Sequence, residues 1–351
     1  MKHPNIFLDL FLVAFFLIAS SFSGFIPKAK SPESYESNVN WVKQVTKQYS
    51  PHSWALLDQY EKLPLKQEIN LRDGLTISVK KPVTTFHYLS GKNRAELLLS
   101  MSTNVHEISH AYFRSNTIKY AKEKGVKLNW DNAEGFIYLS PSSNYFISVP
   151  RNILFPSKKL TAVIPSRMNT FRFETYIRGN TSTQDEGIIG LLNEFHAYYL
   201  GSRFTFEMLE AYLISDGKAK GLHHWVSHCQ STMSAYYEFD YFIREYLLYM
   251  KARHLEDYEY LKSNTSFREA LSAVHVYFGK LVKNYEETVH KQMKLLNDSN
   301  AGDAVIEKDM LWITPEKSAI RMGTTIFSDD RTRILAILAT DRYRPVEKDF
   351  F

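Results

Sequence analysis

From Arg94 to Lys124 the chain runs without a proline or a glycine, and the first residue able to stop it is Gly125. Ser90-Gly91 reads as a break, Asn93 as an N-cap, and Glu96 stands three residues later, as in a capping box. Leu97, Leu98, Met101, Val105, Ile108 and Tyr112 then recur at helical spacing. A long amphipathic helix with one buried side is the consequence, and the rest of the fold has to be built around it.

That helix carries His106-Glu107-Ile108-Ser109-His110, an HExxH pattern. Four residues apart on a helix, His106 and His110 project from one face and can share one metal ion. Glu107 lies one step round, near the open coordination position, where a carboxylate can take a proton from a water on the metal. Histidines in such numbers (12 in the chain) also occur as plain core or surface residues, so the surroundings must decide.

A catalytic zinc takes three protein ligands and keeps a fourth position for water. The candidate third ligand lies in Asn193-Glu194-Phe195-His196-Ala197-Tyr198. Together with the HEISH helix, this stretch resembles the gluzincins, metallopeptidases whose third ligand is a Glu on a later helix within an NExxA-like pattern. The matching residues are Asn193, Glu194 and Ala197. The resemblance covers those two helices and implies a zincin-like core, Zn²⁺ as cofactor and peptide hydrolysis. It departs from the family in two places: the gap from His110 to Glu194 is 84 positions, and Tyr198 stands where an acidic residue often follows the Ala.

Helical geometry independently favours Glu194 over His196. At about 100° per residue, Gly187, Gly190, Glu194, Ala197 and Gly201 share one narrow stripe. Small residues there let another helix approach, with Glu194 the one long side chain reaching across. His196 points roughly opposite, so both cannot hold one ion. Downstream, His223, His224 and His228 form a second group; His224 and His228 are an i, i+4 pair, but Trp225 follows where HExxH needs Glu. A solvated or core-facing cluster, a metal store, or a hydrogen-bond donor to the oxyanion are the alternatives; Tyr198, Tyr199 and His223 are candidates for the last role.

Composition excludes some classes. The chain is 44% hydrophobic and 14% aromatic, far from disordered composition. A net charge of +5, spread without a basic stripe, does not point to nucleic acid. One cysteine, Cys229, rules out an intramolecular disulfide. Residues 1–27 have a basic end, an apolar run from about Leu10 to Ala19 and a small-residue group at Ser20 to Gly24: a signal peptide or an uncleaved signal anchor. Either places the remainder in an extracytoplasmic space, in the second case with membrane attachment.

The expected fold class is α+β. A zincin-like core over 28–215 holds the HEISH helix beside a small, mostly antiparallel sheet and includes the third-ligand helix. A long-helix extension follows over 216–300, and a tail over 301–351 packs on the core. Strands are expected at Ile69–Tyr88 with turns at Asp73-Gly74 and Lys81-Pro82, at 135–139, 145–149, 160–164 and 171–177, and in the tail at 310–314, 324–327 and 335–338, the tail segments as strand or coil. A sheet edge there would suit an extended peptide. The reading is an exported zinc metallopeptidase in which His106, His110 and Glu194 hold Zn²⁺, Glu107 is the base, and Tyr198 or His223 assists. Its partner is a peptide or protein substrate; oligomeric state is open. The alternative is a non-catalytic envelope binding or scaffolding protein whose HEISH is structural or vestigial.

Overall fold

The computed structural model describes residues 32–70 and 76–351. The expected signal segment 1–27 and the Asp73-Gly74 turn lie outside the described residues. The described chain is α+β: helices dominate, and small antiparallel sheets lie among them.

Helices α1 (Pro32–Tyr49) and α2 (Pro51–Glu61) lead into the hairpin β1 (Lys66–Asn70) and β2 (Thr76–Lys80). Helix α3 (Arg94–Lys124) follows, bounded where the sequence places its signals. Asn93 Oδ1 accepts from the Glu96 amide at 2.9 Å, and the Glu96 carboxylate reaches back to the Lys92 amide at 2.7 Å. Gly125 closes the helix in the left-handed region at φ 64°. Leu97, Leu98, Met101, Val105, Ile108 and Tyr112 are all buried. Replacing Asn93 by Ala removes the cap and should cost about 0.5–2 kcal/mol. It should lower the urea midpoint with an unchanged m-value.

The hairpin of β3 (Asn132–Ser140) and β4 (Ser143–Pro150) packs beside α3. After it come α4 (Gly187–Glu207), α5 (Leu209–Asp216), α6 (Lys218–Met233), α7 (Ala235–Arg253), α8 (Leu255–Ser263) and α9 (Thr265–Asp298). A three-stranded sheet, β5 (Gly302–Glu307), β6 (Met310–Pro315) and β7 (Met322–Thr325), precedes α10 (Asp330–Leu338) and α11 (Arg344–Phe350).

Four strand expectations fail for one reason: apolar residues recur at helical spacing or sit in turns, so no second strand is required. Around 160–164, Leu160, Ile164 and Met168 are buried while residues 161–163 are exposed, and the segment coils into short 3-10 turns between Pro156 and Pro165. In 171–177, Phe173 and Ile177 point inward four residues apart while Phe171 stays 74% exposed; a short helix passes into a π-turn over Glu174–Arg178. The sheet beside α3 is therefore a two-stranded hairpin. Residues 83–88 form a bend and a turn instead of a strand, the turn over 85–88 held by Asn104, whose side chain donates to the Thr85 carbonyl at 2.9 Å and accepts from the Tyr88 amide at 3.1 Å. Residues 335–338 end α10 instead of forming a strand.

Helix α4 runs through the centre of one continuous apolar core that extends from Val42 to Phe350. Its small residues set the distance to its neighbours. A Cβ at Gly201 would lie 3.1 Å from the Ser102 carbonyl oxygen and 3.4 Å from His106 Cβ, so α4 and α3 meet almost backbone to backbone at the HEISH turn. Ser102 Oγ, donating to the Gly201 carbonyl at 3.0 Å, fixes that crossing.

Candidate metal centre

The close approach of α3 and α4 brings Glu194 across to the two motif histidines. Glu194 Oε2 lies 3.6 Å from His106 Nε2 and 3.4 Å from His110 Nε2, and the two Nε2 atoms are 3.1 Å apart. All three ligand-type atoms fall within 4.8 Å of one another. The Glu194 side chain is only 7% exposed, and its Oε2 has no hydrogen-bond partner despite its two imidazole neighbours. A buried carboxylate oxygen normally has its lone pairs satisfied. Two imidazoles and one buried carboxylate oxygen, whose ligand-type atoms lie within 4.8 Å of one another, are donors of the kind that could hold a metal ion such as zinc. The residues present fit the ion.

Electrostatics within the cluster are uneven. Burial pushes the His106 ring well below its usual pKa, and the charges of His110 and Arg172 add to that. His110 feels the same burial, but the nearby Glu194 charge outweighs it and raises its pKa to about 9. Half-buried Glu107 has its pKa raised, first by burial; His110 opposes the shift and Glu194 reinforces it. A carboxylate moved upward in this way is a better base near neutral pH.

Tyr198 belongs to this site. Its ring meets the His106 ring edge-on, with centroids 4.6 Å apart, and its hydroxyl is 3.2 Å from that of Tyr176. Three participants were not legible in the sequence. Tyr176 comes from the π-turn, and the Glu194 charge is among the causes that raise its pKa well above the ordinary value, after burial. Arg172, from the short helix that leads into the π-turn, lies over the Tyr198 ring at 4.5 Å. Tyr88, from the loop clamped by Asn104, is raised to about 12 by burial and by the charge of Glu107. Reading 171–177 as a strand concealed the first two. A π-turn leaves no pattern in sequence, although it is a recurrent feature of functional sites.

His223 is placed elsewhere. It sits on α6, with Nε2 3.2 Å from the Gly323 carbonyl of β7, and has no contact with the cluster among the described residues. The reason lies in its helix, which turns this face to the C-terminal sheet. His224 and His228 stack at 6.4 Å, with their Nδ1 atoms beside Asp216 Oδ2 (2.8 Å) and the Tyr212 hydroxyl (2.6 Å). His196 points away from Glu194, its Nε2 2.7 Å from the Tyr138 carbonyl of β3. That bond and Arg203, which reaches the Leu139 carbonyl at 3.4 Å, occupy this end of the hairpin with α4 side chains.

No family model, no curated protein and no solved structure matches this chain. Function must be argued from the site itself.

Proposed function

We propose that the chain is a zinc-dependent metallopeptidase on a zincin-like core, with His106, His110 and Glu194 as the metal-holding residues and Glu107 as the general base. The observation that carries this reading is the orphaned, buried Oε2 of Glu194 aimed at two imidazole nitrogens from another helix. Bound there, Zn²⁺ would supply Lewis acidity, lowering the pKa of a water and polarising a carbonyl. Glu107 takes the proton of the attacking water and hands it to the departing amine. Tyr198, whose ring packs on His106, and Tyr176, whose hydroxyl lies 3.2 Å from that of Tyr198, are the candidate donors for developing negative charge.

A scaffolding role would leave Glu194 paired with Lys or Arg, or facing solvent. Its neighbours are instead imidazoles, and the nearby guanidinium of Arg172 is bound to Glu238. The His224–His228 pair is a poorer metal store, because the group of three ligand-type side chains that converges among the described residues is His106, His110 and Glu194. Export follows from residues 1–27, and a peptide or protein is the substrate. Among the described residues no helix is long and apolar enough to cross a membrane.

The deciding experiment is metal analysis of the full-length protein purified under metal-replete conditions. One zinc per chain is expected in the wild type and none in His106→Ala. A folded wild type free of zinc would overturn the reading.

A further inference from the structure

Arg172 is a charge in the interior, 6% exposed, yet it touches neither Glu194 nor Glu107 in any hydrogen bond of the described residues. Its Nη1 donates to Glu238 Oε1 at 2.6 Å, its Nη2 to the Ser231 carbonyl at 2.5 Å, and its backbone amide to Glu238 Oε2 at 3.1 Å. Glu238 Oε2 also accepts from the Thr170 hydroxyl. α6 supplies Ser231 and α7 supplies Glu238, so two helices fix the guanidinium plane. A buried ion pair of this kind adds little net stability over an apolar packing of the same volume. What it does provide is a rigid, flat cation at a defined place.

One face of that cation covers the Tyr198 ring, at 4.5 Å from its centroid. The same ring meets His106 edge-on at 75°, while its hydroxyl is held 3.2 Å from Tyr176. Tyr198 is thus packed between guanidinium and imidazole, with its ring against the His106 ring.

We propose that Arg172, locked by Glu238, is a positioning residue that acts through Tyr198 to hold the His106 imidazole in its metal-binding orientation. The proposal rests on the zinc reading of the site. It extends the site beyond the two motif helices to α6, α7 and the segment of the short helix and π-turn over residues 171–178. Residues around a metal that orient its ligands typically set affinity by about 10–100-fold.

The test uses the full-length protein carrying Arg172→Lys, which keeps a cation for Glu238 but loses the flat fork and the stacking face. Three quantities are read: zinc affinity by chelator competition, the visible absorption of the Co²⁺-loaded protein, and the His106 ring signals in the NMR spectrum of the metal-free protein. The expected result is a zinc affinity lower by about 10–100-fold, altered Co²⁺ bands and shifted His106 signals, with the far-UV spectrum unchanged. Tyr198→Leu should reproduce these changes, and adding Arg172→Lys to it should bring no further loss. If Arg172→Lys does not fold, the pair Arg172→Gln/Glu238→Gln, which leaves no orphaned buried charge, takes its place with the same readouts. Zinc affinity and Co²⁺ bands identical to wild type, or additive losses in the double variant, overturn the proposal. Should the folded wild type bind no zinc, the metal reading fails separately. The metal-free spectrum then decides the positioning contact: His106 signals that move in Arg172→Lys support it, and coincident signals overturn it.

Discussion

Glu107→Gln should keep its full complement of zinc and lose about 10²–10⁴-fold in peptide turnover. The argument is geometric before it is chemical. Glu107 follows His106 on α3, so its carboxylate rises beside the metal-holding face without being one of the three converging donors. Gln preserves the length, the volume and one oxygen, and it leaves the His106–His110–Glu194 contacts untouched. What disappears is the capacity to accept a proton. Burial already raises the Glu107 pKa, so its carboxylate is a stronger base than a solvent-exposed one. Parallel zinc analysis and hydrolysis of a peptide library give the two readouts. A Gln variant that loses its zinc would make Glu107 a ligand; one that keeps both zinc and full turnover would remove it from the chemistry.

The sequence exposed those parts of the site whose physics is local. The cap at Asn93, the uninterrupted run to Lys124 and the left-handed stop at Gly125 are near-neighbour effects, and the helix forms between the limits they set. The small-residue stripe of α4 was legible for the same reason, since it follows from helical periodicity alone; Gly201 and Ala197 sit where α3 crosses. The rest depends on contacts distant in the chain. Whether Leu160 to Ile164 forms a strand depends on the presence of a partner strand, and the helices occupy that space. Nothing local in the sequence marks Arg172, because its partner Glu238 lies 66 residues later. His223 looked equivalent to its neighbours, and the packing of α6 on β7 separates it from the His106, His110 and Glu194 cluster.

Glu194 is the residue on which these two kinds of information meet, and its removal should have the second large effect. Glu194→Ala should weaken zinc binding by on the order of 3 kcal/mol, roughly a hundredfold or more, if the 10–16 kcal/mol typical of a four-ligand zinc site is shared about evenly among its ligands. Glu194→Gln, isosteric but uncharged, should fall between Ala and wild type, because it keeps an oxygen at the same place and loses the negative charge. His196→Ala provides the counter-measurement. His196 faces β3 through its bond to the Tyr138 carbonyl, so its loss should leave zinc affinity unchanged while costing some stability. Chelator competition across the three variants separates the possibilities. Equal zinc affinity in Glu194→Ala and wild type would keep the HEISH pair and require a different third ligand. A loss in His196→Ala as large as in Glu194→Ala would mean that α4 turns its other face to the metal, against the crossing fixed by Ser102 and Gly201. With Glu194 alone sensitive, the small-residue stripe has its explanation: it lets one carboxylate on α4 reach the two imidazoles of α3.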